Sequence, residues 1–247
     1  MTGTTIDFGR LARLLPDLPR WIEVRSMLLS GRCEVFGLEE EPQPRFAICN
    51  SERELTGVVG RANRVAVDKA MAHVGRGKGV AICPFEDSDY LASLLPDRTP
   101  SPVALHLLGD NARMPEVPPG AVRLVVPEEL STFDHLPPAL KDELKIVAPH
   151  CLIAATIVDQ LPVAFCYVAW ETDSLWDVSI ETLAEHRGRG YAALSVAFLV
   201  EYMKNKGKNP VWGAEESNLP SMQLAAKLGF VKTDRLVLFH PPGGRRL

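Results

Sequence analysis

The sequence predicts a mixed α/β (α+β) fold with a mostly antiparallel central sheet flanked by helices. The first observation is a series of three strand-like segments in the C-terminal half, separated by short polar breaks: CLIAATIVD, LPVAFCYVAWE and SLWDVSIETL. Their spacing is typical of an antiparallel meander. The second observation is the succession that follows them, a long apolar helix, GYAALSVAFLVEYMKNKG, and then a strand, a short helix and a last strand.

Composition limits the classes of protein to which this chain can belong. It has 247 residues, of which 46% are hydrophobic and 23% are charged, and its formal net charge is −4. That length can bury one large core or two smaller ones. Because the chain is not basic, neither nucleic acid nor an anionic membrane is an expected partner.

The cysteines and the first residues predict a cytoplasmic protein. The five cysteines form no Cys-x-x-Cys pair, and most lie in apolar segments such as FAIC and VAFC, as expected for buried thiols in a reducing compartment. The opening segment, MTGTTIDFGRLARLLPDLPRW, lacks the apolar stretch of a signal peptide. No run of about 18 apolar residues predicts a membrane span. The six histidines lack metal-ligand spacing, so no metal is expected.

The N-terminal half alternates predicted helices and strands. Residues 6–30 predict one or two helices interrupted near Pro16 and Pro19. Two strands around a turn come next, CEVFGL and RFAICN. The helix RANRVAVDKAMAHV then ends at the glycine-rich GRGKG. The strand VAICPF, the short helix DYLASLLPD and the strand PVALHLL complete this half.

A proline-rich stretch at residues 98–121 separates the two halves. The segments RTPSP and MPEVPPG disfavour packed elements, so a boundary or a crossover is expected there. The predicted domains are therefore residues 1–124 and 125–247. Around the boundary, AVRLVVP predicts a strand and PPALKDELKIVA predicts a helix.

The junction between the meander and the long helix is a candidate anion site. It contains, in order, Arg187, Gly188, Arg189, Gly190, Tyr191, Ala192 and Ala193. The first amides of a helix lack internal partners, and glycines let an anion approach them without meeting Cβ atoms. The two arginines add charge suited to phosphate, so the junction predicts a pyrophosphate site; the alternative is a tight turn without a ligand. Neither a Walker loop nor a dinucleotide fingerprint is present.

Two motifs in order resemble the GNAT superfamily of acyl-CoA-dependent N-acyltransferases. The family pattern Arg/Gln-x-x-Gly-x-Gly/Ala is matched by Arg187, Gly190 and Ala192. Downstream, SNLPSMQLAAKLGF resembles the Asn-x-x-Ser/Ala…Lys-x-Gly-Phe segment, through Asn218, Ser221, Lys227, Gly229 and Phe230. The resemblance covers roughly the C-terminal half. It implies a GNAT fold, acetyl-CoA as co-substrate without a metal, and direct transfer of the acetyl group to an amine of a small molecule or peptide.

The resemblance also implies how acetyl-CoA would be held. The implied cofactor-binding residues are Ile180, Thr182, Arg187, Gly188, Arg189, Gly190, Tyr191, Ala192, Ala193, Asn218 and Ser221. The strand backbone at the first two would bind the pantetheine arm, and the glycine-rich junction would bind the pyrophosphate. For Asn218 and Ser221, which would contact the arm or the acyl end, helix capping at SNLPS is the alternative.

The candidate general bases are Glu181 and Asp177, on the strand before the junction. Strand alternation places both on one face together with Ser179. A carboxylate there could take the proton of the acceptor amine. The alternative is that both are ordinary solvent-facing residues and that a water chain removes the proton.

Two further groups complete the expected chemistry. The oxyanion needs a donor, and the backbone amide around Leu183 or Ile180 is the candidate. Many family members have a tyrosine that protonates the leaving thiolate, at the position where this chain has Ala225. A thiol with a pKa of about 8.5 is a fair leaving group without that acid.

The two halves resemble each other faintly. The segment GRGKGVAICPFEDSDYLASLLPD can be laid on NKGKNPVWGAEESNLPSMQLAAKLGF. If this reflects a duplication, the N-terminal half is a degenerate GNAT-like domain, as in the glycine N-acyltransferase-like branch; the alternative is chance similarity. Two other functions stand beside the acetyltransferase, a non-catalytic acyl-CoA-binding or regulatory protein and an α/β interaction module. The acceptor amine and a homodimer are left open.

Overall fold

The computed structural model describes residues 6–75 and 77–243. The α-helices in these residues are α1 (Phe8–Arg13), α2 (Ile22–Ser30), α3 (Arg64–Val74), α4 (Ser88–Leu94), α5 (Pro138–Val147), α6 (Tyr191–Lys204) and α7 (Leu219–Leu228). The strands are β1 (Glu34–Glu39), β2 (Arg45–Asn50), β3 (Leu55–Val59), β4 (Val80–Pro84), β5 (Thr99–Leu108), β6 (Val122–Val125), β7 (Ile153–Val158), β8 (Leu161–Glu171), β9 (Leu175–Thr182), β10 (Asn209–Glu215) and β11 (Phe230–His240). The predicted mixed α/β class with a mostly antiparallel sheet is confirmed. Across the described ranges, no helix has the length and apolar character needed to span a membrane.

The chain divides into two compact units. The first contains the described parts of Met1–Leu105, Ala214–Leu219 and Thr233–Leu247, and the second contains His106–Gly213 and Pro220–Lys232. This grouping differs from the predicted division after residue 124. Strand pairing explains the return of the C-terminal residues to the first unit, since β11 pairs with β4 through Leu236 opposite Pro84 and Phe239 opposite Ala81.

The second unit contains the predicted meander. Its strands are ordered β10-β9-β8-β7-β6, with antiparallel pairing from β6 to β9. The fifth strand, β10, runs parallel to β9, and α6 connects the two. Helix α5 packs Leu144 and Val147 into a core that includes Phe165 and Tyr167 of β8. A short 3-10 turn, Ala184–His186, and the glycine-rich junction connect the end of β9 to α6.

The first unit repeats the run of three antiparallel strands, a helix and a parallel strand that the second unit contains. Three antiparallel strands are followed by α3, by β4 parallel to the third strand, by α4 and by a further strand. The parallel pair aligns Leu55 with Val80 and Gly57 with Ile82. Strand β3 has no counterpart among the predicted elements, because all five of its residues are buried and therefore do not alternate. The shared order supports the duplication suggested by the sequence.

Candidate functional site

The junction before α6 adopts a backbone that favours glycine. Gly188 has φ 74° and Gly190 has φ 84°, both in the left-handed region. Gly190 is the residue that caps α6, and it makes no side-chain cap. A Cβ placed on either glycine would meet no atom within 4 Å. The two glycines therefore satisfy a turn, and the space in front of them is open.

The open space faces unpaired helical amides. The first hydrogen bond of α6 runs from the Leu194 amide to the Gly190 carbonyl at 3.3 Å. The amides that precede Leu194 in the helix have no helical acceptor, and the helix dipole adds positive character to them. Helix α6 has 14 residues, long enough for this effect to develop fully. The geometry fits a phosphate or pyrophosphate group.

Two buried hydroxyl groups hold the first turn of α6 against the sheet. The Thr156 hydroxyl on β7 donates to the Tyr191 carbonyl oxygen at 2.9 Å and lies 2.7 Å from the Ser195 hydroxyl. The Ser195 hydroxyl has one proton, which it donates either to the Thr156 hydroxyl or to the Ala164 carbonyl of β8, 3.2 Å away. Thr156 and Ser195 are almost completely buried. These contacts fix the position of the glycine-rich junction relative to β7 and β8.

The arginines of the junction are both exposed. The Nε of Arg187 donates to the Thr182 carbonyl oxygen at 3.1 Å, which turns its side chain back over the end of β9. The ring of His186 lies 6.0 Å from the ring of Tyr191, between centroids. The two guanidinium groups therefore add positive charge beside the helix amides.

One edge of β9 is open towards the junction. The Leu183 amide donates to the Val163 carbonyl of β8 at 3.0 Å. By the alternation of an antiparallel ladder, the amides and carbonyls of Ile180 and Thr182 then face away from β8. On that side, pairing with β10 ends at Val211 opposite Asp177, and no later pair forms between these strands in the described part of the second unit. The Ile180 backbone is therefore placed to bind an extended ligand.

The engagement of Leu183 corrects one expectation. Its amide is hydrogen-bonded within the sheet, so it is not available as an oxyanion donor. The alternative candidate, Ile180, has its amide on the open edge. Thr182 keeps its place on the same edge, but its carbonyl already accepts from Arg187.

The candidate base Glu181 lies in a cluster of ionisable groups. Burial raises the pKa of the Glu181 carboxyl above its ordinary value, and the nearby Glu143 carboxylate raises it further. Arg187 and the backbone amide of Thr182 lower the same pKa. A base of raised pKa takes up a proton more readily near neutral pH.

Sequence reasoning missed two members of this cluster. The buried Tyr167 hydroxyl donates to the Glu143 carboxylate, and burial together with Glu143 raises the pKa of Tyr167. Tyr167 pairs with Ser179, and Phe165 pairs with Glu181 in the β8–β9 register. Tyr167 and Glu181 are therefore diagonal neighbours on one face. Strand β8 is buried on both faces from Pro162 to Val168 and so gives no alternation that marks Tyr167, and no sequence rule brings α5 to this face.

The second candidate base, Asp177, lies on the same strand face. The Ser179 hydroxyl donates to its carboxylate at 3.2 Å. The predicted alternation of β9 is present, since Trp176 and Val178 are buried while Asp177 and Ser179 are partly exposed. Both carboxylates are therefore placed on the expected side.

The downstream motif is divided between the units. Ser221 lies in the second unit, where its hydroxyl accepts a hydrogen bond from the Trp212 indole at 3.0 Å. Asn218 lies in the first unit, where its amide donates to the Glu215 carbonyl at 2.8 Å. Ala225 is fully buried in α7 and supplies no hydroxyl. No group of three or more potential metal ligands occurs in the residues that the structure covers.

Gly229, in the Lys-x-Gly-Phe segment, has a structural requirement of its own. Its φ is 89°, and a Cβ there would lie 2.5 Å from the Ala112 Cα. Its carbonyl accepts from the Gly109 amide at 3.0 Å. The motif glycine is therefore explained by backbone packing within the second unit.

An antiparallel meander with an open strand edge, leading into a glycine-rich helix start, is the arrangement that the GNAT resemblance of the sequence implies. Residues 155–239 match the family model of GNAT acetyltransferases. No curated protein matches the sequence.

Solved structures share the fold over nearly the whole chain. The GCN5-related N-acetyltransferase-like protein of Streptococcus suis 89/1591 has a TM-score of 0.68 and 15% identity, over 95% of this chain and 98% of that one. A GCN5-related N-acetyltransferase from Kribbella flavida has a TM-score of 0.59 and 16% identity, over 98% of each chain. A tandem GNAT protein from the clavulanic acid biosynthesis pathway has a TM-score of 0.59 and 13% identity, over 98% of this chain and 96% of that one. At these identities the comparison establishes the fold.

Proposed function

We propose that this protein transfers an acetyl group from acetyl-CoA to an amine in a ternary complex. The observation that carries the proposal is the continuity between the open edge of β9 and the left-handed Gly188 and Gly190 before α6. An extended pantetheine arm suits the former, and a pyrophosphate suits the latter. The two subsites adjoin each other in the order in which these groups occur in CoA.

The binding roles follow from the chemistry of each group. The Ile180 carbonyl and the Thr182 backbone bind the pantetheine amides, which leaves the Ile180 amide for the oxyanion. The amides from Gly188 to Ala193, including those of Arg189, Gly190, Tyr191 and Ala192, bind the pyrophosphate, and Arg187 adds charge beside them. Asn218 and Ser221 contact the arm or the acyl end.

The chemical step uses few residues. Glu181, or Asp177 in its place, accepts the proton of the acceptor amine, and the amine nitrogen attacks the thioester carbonyl carbon. The Ile180 amide donates to the oxyanion of the tetrahedral intermediate. The carbon–sulfur bond then breaks and CoA leaves as the thiolate, since Ala225 cannot protonate it. The products are the N-acetylated amine and CoA.

The acceptor is a primary amine of a small molecule or a peptide, and the protein works in the cytoplasm. Nucleic acid and membrane are not among its proposed partners, since the net charge is −4. A homodimer is compatible with all of these roles.

The test is calorimetric titration with acetyl-CoA and CoA, with NAD as control. Binding of both CoA forms and not of NAD is expected, and Gly190→Glu should abolish it because a carboxylate would lie against the pyrophosphate. Gly207→Glu is the matched control, since Gly207 follows the other end of α6, also has positive φ and also faces open space. Equal binding by the wild type and Gly190→Glu would place the site elsewhere.

A non-catalytic acyl-CoA-binding or regulatory protein is the second candidate. The buried Ala225 favours it, because no side-chain acid stands at that position. Release of free thiol from acetyl-CoA with a panel of small and peptide amines distinguishes the two. Amine-dependent release supports the transferase, and tight binding with no release for any amine supports the second candidate.

A further inference from the structure

A second carboxylate, that of Glu143 on α5, lies near Glu181 and has no role in the proposed chemistry. Glu143 is an exposed residue of α5, yet its carboxylate accepts a hydrogen bond from the buried Tyr167 hydroxyl of β8. Tyr167 is a diagonal neighbour of Glu181 across the β8–β9 register. The exposed carboxylate is thereby held inward, at the face of the sheet where Glu181 lies.

The packing of α5 keeps this arrangement in place. Leu144, next to Glu143, is completely buried, and Val147 one turn later is nearly so. Both belong to the same core as Tyr167 and Leu183. Glu143 therefore has little freedom to move away as long as its hydrogen bond to Tyr167 is present.

We propose that Glu143, held by Tyr167, is a positioning residue that keeps the Glu181 carboxyl a strong proton acceptor for the acceptor amine. The inference deepens the proposed acetyl transfer and rests on it for its functional meaning. Glu143 acts only through its charge and through Glu181, and it touches neither substrate. It is separate from the pyrophosphate and pantetheine subsites.

Charged and titratable groups from three neighbouring segments surround Glu181. Glu143 comes from α5 and acts to raise the pKa of Glu181, while Arg187, after β9, acts to lower it. Tyr167 of β8 lies close enough to Glu181 and Asp177 for both carboxylates to raise its own pKa. Removal of the Glu143 charge leaves Arg187 less opposed, so the pKa of Glu181 must fall and the carboxylate becomes a weaker base.

The test replaces one charge on α5 and measures three quantities. In Glu143→Gln, the acid limb of the pH profile of kcat/KM should move to lower pH, and kcat on the plateau should fall roughly two- to fivefold, as expected for a weaker base. The pKa of Glu181, followed by carboxyl-carbon NMR, should fall as well. Asp142→Asn is the matched control, since it removes one exposed carboxylate from the neighbouring position of the same helix. All three quantities should be unchanged in that variant.

Two further variants test whether Glu143 acts through its charge and its position or only through the stability of the protein. Glu143→Asp keeps the charge and should restore part of the wild-type pH profile, which a purely structural role of Glu143 would not predict. Tyr167→Phe keeps the packing and should shift the pKa of Glu181 in the same direction as Glu143→Gln, because Glu143 then loses its tether.

The NMR titration keeps the inference separate from the proposed function. An unchanged Glu181 pKa in Glu143→Gln overturns the inference, whether or not the enzyme turns over. A changed pKa with an unmoved pH profile in an active enzyme also overturns it, because Glu181 would then not be the base. A wild type without activity towards any amine defeats the proposed function, whereas a shifted Glu181 pKa would still support the coupling of Glu143 to Glu181.

Discussion

The Thr156 hydroxyl lies 2.7 Å from the Ser195 hydroxyl, and this contact joins the first turn of α6 to the central strands of the second unit. Thr156 donates its proton to the Tyr191 carbonyl, and Ser195 donates its one proton either to Thr156 or to the Ala164 carbonyl. Both hydroxyls are buried, so each depends on the other for part of its hydrogen bonding. The contact between Thr156 and Ser195 thus holds in place the helix start that forms the proposed pyrophosphate site.

Thr156→Val should destabilise the protein and weaken acetyl-CoA binding. The variant keeps the shape of the side chain but leaves the Ser195 hydroxyl and the Tyr191 carbonyl with fewer partners, at a cost of roughly 1–3 kcal/mol. Urea denaturation and calorimetric titration measure the two effects. Adding Ser195→Ala should cost less than the sum of the two single changes. Additive effects would show that the hydroxyls do not act together.

Gly229→Ala should be among the most destabilising single changes in the second unit. The new methyl group would meet the Ala112 backbone at 2.5 Å, and φ 89° is unfavourable for any side chain. We expect a loss of more than about 2 kcal/mol in the free energy of unfolding, measured by urea denaturation. Gly207→Ala is the control, since it has positive φ and open space around it. It should lose only about 1 kcal/mol, the strain alone. Equal losses in the two variants would show that Ala112 yields easily.

Glu181→Gln should stabilise the protein increasingly as the pH rises. Because the folded-state pKa of Glu181 is raised above its unfolded value, the wild type loses stability as the pH rises through the folded pKa. Gln cannot ionise, so the difference in melting temperature between variant and wild type should be near zero at pH 4 and positive at pH 8. The gain should stay below about 1 kcal/mol, because the side chain is partly exposed.

Glu185→Gln, which removes a neighbouring exposed carboxylate, is the control for the loss of one negative charge in this segment. A stability difference for Glu181→Gln that does not depend on pH would contradict the raised pKa. Thermal melts at several pH values are sufficient for this comparison.

One acetyl-CoA should bind per chain, although the first unit repeats the run of three antiparallel strands, a helix and a parallel strand that the second unit contains. At the equivalent helix start, the Asn63 side chain accepts a hydrogen bond from the Ala66 amide at 3.0 Å. Asn63 thereby caps α3 and occupies an amide that a phosphate would need. A Cβ on Gly60 would lie 3.0 Å from the Pro44 carbonyl oxygen, so the backbone there has no open approach. Titration should give a stoichiometry near one. Asn63→Ala should cost roughly 1 kcal/mol of stability and leave the stoichiometry unchanged. A second site of similar affinity would argue against this view of the first unit.

The sequence determined the features that depend on neighbouring residues. The meander, the glycines before α6 and the shared strand face of Asp177 and Glu181 all follow from turn chemistry and from the period of two in a strand. The GNAT resemblance rested on the same local motifs. Positive φ at Gly188 and Gly190 is likewise a local property, which glycine adopts at little cost.

Only the tertiary structure decided which distant groups meet. Glu143 and Tyr167 lie beside Glu181 because α5 packs on β8 and because the β8–β9 register places the latter two diagonally. The Leu183 amide is engaged because that register gives it the Val163 carbonyl. The return of β11 to the first unit depends on its pairing with β4. Register and helix packing are set by contacts between segments far apart in the chain, and such contacts leave no local periodicity to read.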